Sequence, residues 1–271
     1  MALPFWISDA GLLVVQAALV AGAATAPPAW LARMRGRAWA LVPAGSIALV
    51  IGGIAAAPGL ANVLTWLALV ATPLAAALAL AVIVPGARPA WALAVPALLA
   101  IAWAAPVDSL ARDTASLALT ALGCLTLGWL LSAVAPIRLL KLGIVAAACL
   151  DSVLVFGHLL QGPNATLNAA APAIHLPQLQ FVEFGSAVMG YGDLFIAGVL
   201  SGVLIVERTR QLPVALACLA IAAAFDLLFF VRSDLPATVP VAAALVVSEL
   251  TTTVRRAASG GYAVMDQKVV Q

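Results

Sequence analysis

Three aspartates stand inside long apolar runs: Asp151 in "CLDSVLVFG", Asp193 in "VMGYGDLFIAGVL" and Asp226 in "AAFDLLFF". A charged side chain deep in hydrocarbon is costly, so each marks a candidate functional position whose partner must be found. Two carboxyls brought together in a low-dielectric site cannot both ionise; they share a proton and titrate as a pair. Such a pair contains a base and an acid at once. One carboxylate takes a proton from water while the other protonates a carbonyl, which is chemistry suited to hydrolysing a peptide bond. On spacing alone, two other readings stay open: the acids pair with polar groups across helices, or they line an ion path.

Depth selects the pair. Asp151 and Asp193 each lie about nine residues from the outer end of their apolar runs, or about 14 Å at 1.5 Å per residue, which lets the two carboxyls face each other. Asp226 lies only about five residues from the outer end of its run, within reach of snorkelling or of an ion pair with Arg232. Gly190 and Gly192 flank Tyr191 and are expected to let their helix approach its neighbours closely. Glu183 and Glu249 fall at expected helix ends, where solvated roles suffice.

The elements that must position these residues follow from composition. The chain has 271 residues, 65% hydrophobic and 9% charged, and a mean hydropathy of +1.13. That is a membrane protein, and long unbroken Ala/Leu/Val runs make it an all-α polytopic helix bundle rather than a barrel. A net charge of +2 without a basic, aromatic-interleaved cluster argues against nucleic acid as a partner. Cys124, Cys149 and Cys218 have no metal-ligand spacing and read as small packing residues. His158 and His175 read as exposed or interfacial, and no metal site is expected.

Charges, prolines and turn residues divide the chain into nine runs, 9–26, 38–57, 60–84, 90–106, 114–134, 139–160, 184–206, 212–231 and 235–250. They group as N-terminal helices (1–134), helices carrying the acids (135–256) and a polar tail (257–271) expected to be disordered. The first run lacks the positive n-region of a signal peptide and is followed by Arg33, Arg35 and Arg37, so it reads as a retained helix. Lys and Arg fall mainly in alternate short loops, which puts the N-terminus outside and the C-terminus in the cytoplasm. The longest connection, 161–183, lies on the outer side. The Ala-rich, Lys-poor composition points to a bacterial inner membrane.

The residues around the acids resemble the presenilin and signal peptide peptidase family of intramembrane aspartyl proteases. "MGYGD" matches its Gly-x-Gly-Asp motif, "LDSVLVFG" the aspartate of the preceding helix, and "LPATVP" the opening of its Pro-Ala-Leu motif. Val155-Phe156-Gly157 and the outside N-terminus are closer to the signal peptide peptidase branch. The resemblance implies that Asp151 and Asp193 form the catalytic pair, with Gly190, Tyr191 and Gly192 as motif residues. It also implies that Pro236, Ala237 and Thr238 position substrate. Leu150 stands where the family has Tyr, and Thr238 where it has Leu. "APAIHLPQL" also faintly echoes a proline, basic and leucine stretch of that branch, with His175 in the basic position.

The implied reaction is hydrolysis of a peptide bond in the membrane helix of a protein or signal-peptide substrate, with no cofactor. Backbone near Pro236, freed of regular helical partners, is expected to pair with an extended substrate segment. Rival readings are a proton- or cation-coupled transporter using the same acids, a prepilin peptidase, and an inactive presenilin-like binding protein. The prepilin motif normally continues with a lysine, whereas Leu194-Phe195-Ile196 follow here. Leu150 and Thr238 are the residues that keep the inactive relative open.

Overall fold

The computed structural model describes residues 3–171 and 176–268, with side chains as far as Val254. It is a helical bundle with one short hairpin. The helices are α1 (Phe5–Val20), α2 (Val42–Ala56), α3 (Leu60–Leu78), α4 (Ala94–Ala104), α5 (Leu110–Val134), α6 (Ile137–Phe156), α7 (Gln161–Ala169), α8 (Tyr191–Val206), α9 (Gln211–Phe225) and α10 (Thr238–Lys268). Strands β1 (Phe181–Phe184) and β2 (Ala187–Gly190) lie between α7 and α8. With their flanking helical turns, five segments are long and apolar enough to cross a membrane: Arg37–Ala56, Leu60–Ile83, Leu110–Val134, Ile137–Phe156 and Gln211–Phe230. Four more apolar helices are shorter: Phe5–Val20, Pro89–Ala104, Tyr191–Val206 and Thr238–Val254. The chain is a helical membrane protein, and large apolar side chains such as Leu49, Leu74, Leu93 and Phe230 cover its outside, where lipid is the solvent.

α5 and α8 form the centre. In α5, 78% of the apolar window is buried, against 17% to 33% in the other long segments, and every residue of α8 from Leu194 to Leu204 is buried. The two helices touch backbone to backbone. A Cβ at Gly128 or at Gly198 would overlap the backbone of the facing helix, and one at Gly202 would sit 2.7 Å from the Gly128 carbonyl oxygen. Gly198 and Gly202 are four residues apart on one face, the small-xxx-small spacing that lets membrane helices pack closely. The close approach expected of Gly190 and Gly192 is therefore made by other glycines. A Cβ at Gly192 would meet nothing nearer than Ile47 Cγ1 at 4.0 Å.

The hairpin corrects the expected start of the helix over 184–206 and adds a small sheet to the all-α expectation. Phe184 pairs with Ala187 across a two-residue loop, Gly185-Ser186, and Gly185 has φ of 64°, the left-handed region such tight hairpin turns require. Val182, Ala187 and Met189 pack inward, while Val188 is exposed. The loop is tied down twice: Gly185 N donates to Asp113 Oδ2 of α5 at 3.0 Å, and Ser186 N to Ser8 Oγ of α1 at 3.1 Å.

α10 continues as helix to Lys268, where a disordered tail from 257 was expected. No proline interrupts the segment, and its alanines favour helix while Gly260-Gly261 oppose it. The last three residues of the expected tail, and His175 in the long connection, lie outside the described residues.

Candidate active site

Asp151 and Asp193 are carried by α6 and α8, which pack against each other. The depth expected from sequence changes, because both helices stop sooner on that side. Asp151 is five residues from the end of α6 at Phe156, and Asp193 is the third residue of α8. At 1.5 Å per residue both lie within about 8 Å of their helix ends, and the hairpin continues the chain beyond α8. The Asp151 carboxylate lies within coulombic reach of Asp193.

Each carboxyl is held by one specific residue. Asp151 is buried, and its Oδ2 accepts a 2.6 Å hydrogen bond from Thr238 Oγ1 at the start of α10. Asp193 Oδ2 accepts from Gly190 N at 3.1 Å, the reciprocal half of a capping box, at a helix N-terminus that favours negative charge. A Cβ at Gly190 would lie only 3.0 Å from that oxygen, so glycine here leaves the carboxylate its place against the backbone. This bond is also one that an ordinary helix-capping aspartate makes. The buried Thr238 bond has no such simple helix-end explanation, since its partner lies on another helix, 87 residues away in sequence.

Thr238 thereby acquires a contact that its reading as a departure from Leu did not foresee. Leu150, the other departure, is half-buried on α6 beside Asp151. Tyr191 is half-buried, with its ring against Thr72 of α3 and Cys124 of α5. Pro236 is buried one turn before the helical part of α10, and its carbonyl accepts from Val239 N at 3.2 Å. The Ala237 carbonyl accepts from Gln16 Nε2 of α1 at 2.9 Å. Backbone at 236–237 expected to be free for an extended partner is thus already engaged within the chain.

Two residues of α1 belong in this description and were not singled out from sequence. Gln16 is 1% exposed. Asp9 is a second acid in a carboxyl pair: its side chain meets that of Asp226 just past the end of α9. Asp226 accordingly meets another acid, and no Asp226–Arg232 ion pair occurs among the described residues. On the same two segments Phe5, Trp6 and Phe229 pack edge to face, and Phe230 lies tilted against Trp6, the kind of aromatic collection found at membrane interfaces.

The remaining charges are structural. Lys141 Nζ binds Glu207 at 2.6 Å and Glu249 at 2.7 Å. This ties α6, the end of α8 and α10 together on the side away from the aspartates, and gives Glu249 a partner in place of a purely solvated role. Glu183 lies on β1 and not at a helix end. Cys124 and Cys218 are buried as expected, while Cys149 is exposed. His158 is exposed beside Gln161, and no cluster of three or more metal-binding side chains occurs among the described residues.

No protein-family model, no curated protein and no solved structure matches the chain.

Proposed function

We propose that the chain is an intramembrane aspartyl protease of the presenilin-like kind, with Asp151 and Asp193 as its catalytic pair. The observation that carries the reading is the meeting of two aspartates from packed helices, one of them fixed by a buried hydroxyl from a third helix. Asp151, oriented by Thr238, takes a proton from water. Asp193 protonates the scissile carbonyl, and the roles reverse as the amine leaves. A substrate helix hides its carbonyls in its own hydrogen bonds, so it must be unwound and given replacement partners. The two-stranded sheet has strand order β1-β2, and neither strand has a second strand partner among the described residues. A strand edge accepts an extended segment by strand addition, and β2 runs directly into Tyr191 and Asp193. Substrates are membrane helices of proteins or signal peptides, and no cofactor takes part.

In this reading all nine apolar helices cross a bacterial inner membrane, with the N-terminus outside and the C-terminus in the cytoplasm. The test is cleavage of a reporter carrying a helical membrane segment by the purified protein, with and without an aspartyl transition-state analogue. Cleavage that the analogue blocks supports the reading; an intact reporter under conditions that keep the protein folded counts against it.

The second acid pair favours one alternative. Asp9 and Asp226 meet near one end of the bundle, and two carboxyl pairs in one membrane protein are what a proton or cation carrier would use. Such a carrier would give ion-dependent flux in liposomes, without reporter cleavage.

A further inference from the structure

Gln16 is the buried polar side chain nearest in connectivity to the catalytic pair that the proposed mechanism does not use. It lies in the middle of α1, in "LLVVQAALV", and is 1% exposed. Its Nε2 donates to the Ala237 carbonyl at 2.9 Å. That orientation of the amide is fixed by chemistry, since a carbonyl oxygen accepts only from the NH2 end. The next residue along the chain is Thr238, whose hydroxyl donates to Asp151 Oδ2 at 2.6 Å. The peptide unit that Gln16 holds is thus the one that leads into Thr238. α1 reaches Asp151 through a single residue of α10.

The other end of the same amide sharpens the point. Gln16 Oε1 is buried and has no hydrogen-bond partner among the described residues. An unsatisfied buried acceptor costs about 1–3 kcal/mol, against about 0.5–1.5 kcal/mol for the one bond Gln16 makes, so a methionine of similar size would cost little or nothing in stability. A side chain kept at that disadvantage is better explained by what its donor end does than by packing.

Resting on the protease reading above, we infer that Gln16 is a positioning residue for Asp151, acting through the Ala237 carbonyl and the Thr238 hydroxyl. It touches neither the reacting atoms nor the substrate. It fixes the turn that opens α10, so that the Thr238 hydroxyl stays aimed at the carboxylate. Without the clamp, residues 236–238 retain their place in the chain but not their orientation. Small misplacements of this kind at a reacting centre lower turnover by about ten- to a hundredfold.

The experiment compares the full-length protein with Gln16→Met, Gln16→Glu, Thr238→Val and the Gln16→Met/Thr238→Val double variant, all in detergent. Gln16→Met should remain folded with an unchanged or raised Tm. Its kcat on the reporter should fall about tenfold, with KM within about twofold. The double variant should be no worse than Thr238→Val alone, because both changes break one chain of contacts. Gln16→Glu can donate to the Ala237 carbonyl only as the neutral acid, so its activity relative to wild type should recover as pH falls. A Gln16→Met enzyme with wild-type kcat, or losses that multiply in the double variant, overturns the inference.

A second measurement does not depend on cleavage. The infrared carboxyl band of Asp151, assigned by its loss in Asp151→Asn, should shift in Gln16→Met in the same direction as in Thr238→Val. If wild type cleaves nothing yet the band shifts together in both variants, the protease reading fails and the positioning role stands. If the band is unmoved in Gln16→Met, the positioning role fails whether or not the wild type is active.

Discussion

Two carboxyl pairs occupy this bundle, and they are built differently. Asp9 and Asp226 meet each other between α1 and the end of α9, on segments that also carry four clustered aromatic rings. Asp151 and Asp193 lie across α6 and α8 and are each held by a separate donor, a hydroxyl from α10 for one and a backbone N–H for the other. A pair that satisfies itself needs nothing else and can serve as a latch between two helices. A pair whose members are each anchored elsewhere keeps its remaining oxygens for a third molecule. The difference teaches that proximity of two acids says little about function until the anchoring donors are known.

The largest effect should separate the pairs outright. Asp151→Asn or Asp193→Asn should each lower reporter cleavage by about a thousandfold, near the upper part of what general acid–base groups contribute, while the protein stays folded and inserted. Asp9→Asn and Asp226→Asn should leave cleavage within about twofold and change mainly thermal stability, since an amide offers the facing carboxyl a donor. Equal losses from both pairs would remove the distinction and favour the carrier, for which liposome flux is the direct assay.

The next effect tests how the anchored pair is held in place. Gly198→Ala pushes a methyl into the α5 backbone beside Cys124 and should destabilise the protein by about 1–3 kcal/mol, because that backbone cannot move aside as the tip of a side chain would. Its residual folded fraction should cleave more slowly, since α8 carries Asp193. The same methyl should leave the Asp9–Asp226 contact unchanged, as read by the carboxyl infrared bands of that pair. A smaller loss is expected of Thr238→Val, which removes one charge-assisted hydrogen bond and should slow cleavage about tenfold. Thr238→Ser should restore the rate; failure of serine to do so would mean that shape, and not the hydroxyl, matters at that position.

Much of this was legible in sequence for a physical reason. Apolar runs declare membrane helices because lipid allows few polar residues, and Asp151 and Asp193 stood out against that background. Thr238 was visible only as a mismatch, since no local pattern shows that a hydroxyl on α10 reaches a carboxylate on α6. Asp9 opens the first apolar run, where nothing local shows a second acid facing it, and Gln16 is one polar residue in an apolar helix, although a lone buried glutamine there is itself a signal. Gly198-Val-Leu-Ser-Gly202 carried the small-xxx-small spacing in plain view, but the glycines beside Asp193 drew the close-packing role instead. The hairpin was masked because its strands are as apolar as the helix that follows. Gly185-Ser186 between two four-residue runs was the turn signal that could have revealed it.

The smallest effect concerns an acid outside both pairs. Glu183 on β1 is exposed, yet partial burial, followed by the nearby charges of Asp113 and Asp108, raises its carboxyl above the ordinary glutamate range. A raised folded-state value means that the folded protein binds this proton more tightly than the unfolded chain does. Ionisation therefore weakens the fold, with the penalty absent below the unfolded value of about 4.3 and complete above the folded one. Glu183→Gln removes the penalty. Its Tm should exceed that of wild type slightly at neutral pH, and the gap should close as the medium is acidified through Glu183's own titration. Solvent screening keeps the gap small. A gap that widens on acidification would mean that Glu183 is held by a favourable partner, which would place the hairpin acids with the anchored pair instead of apart from it.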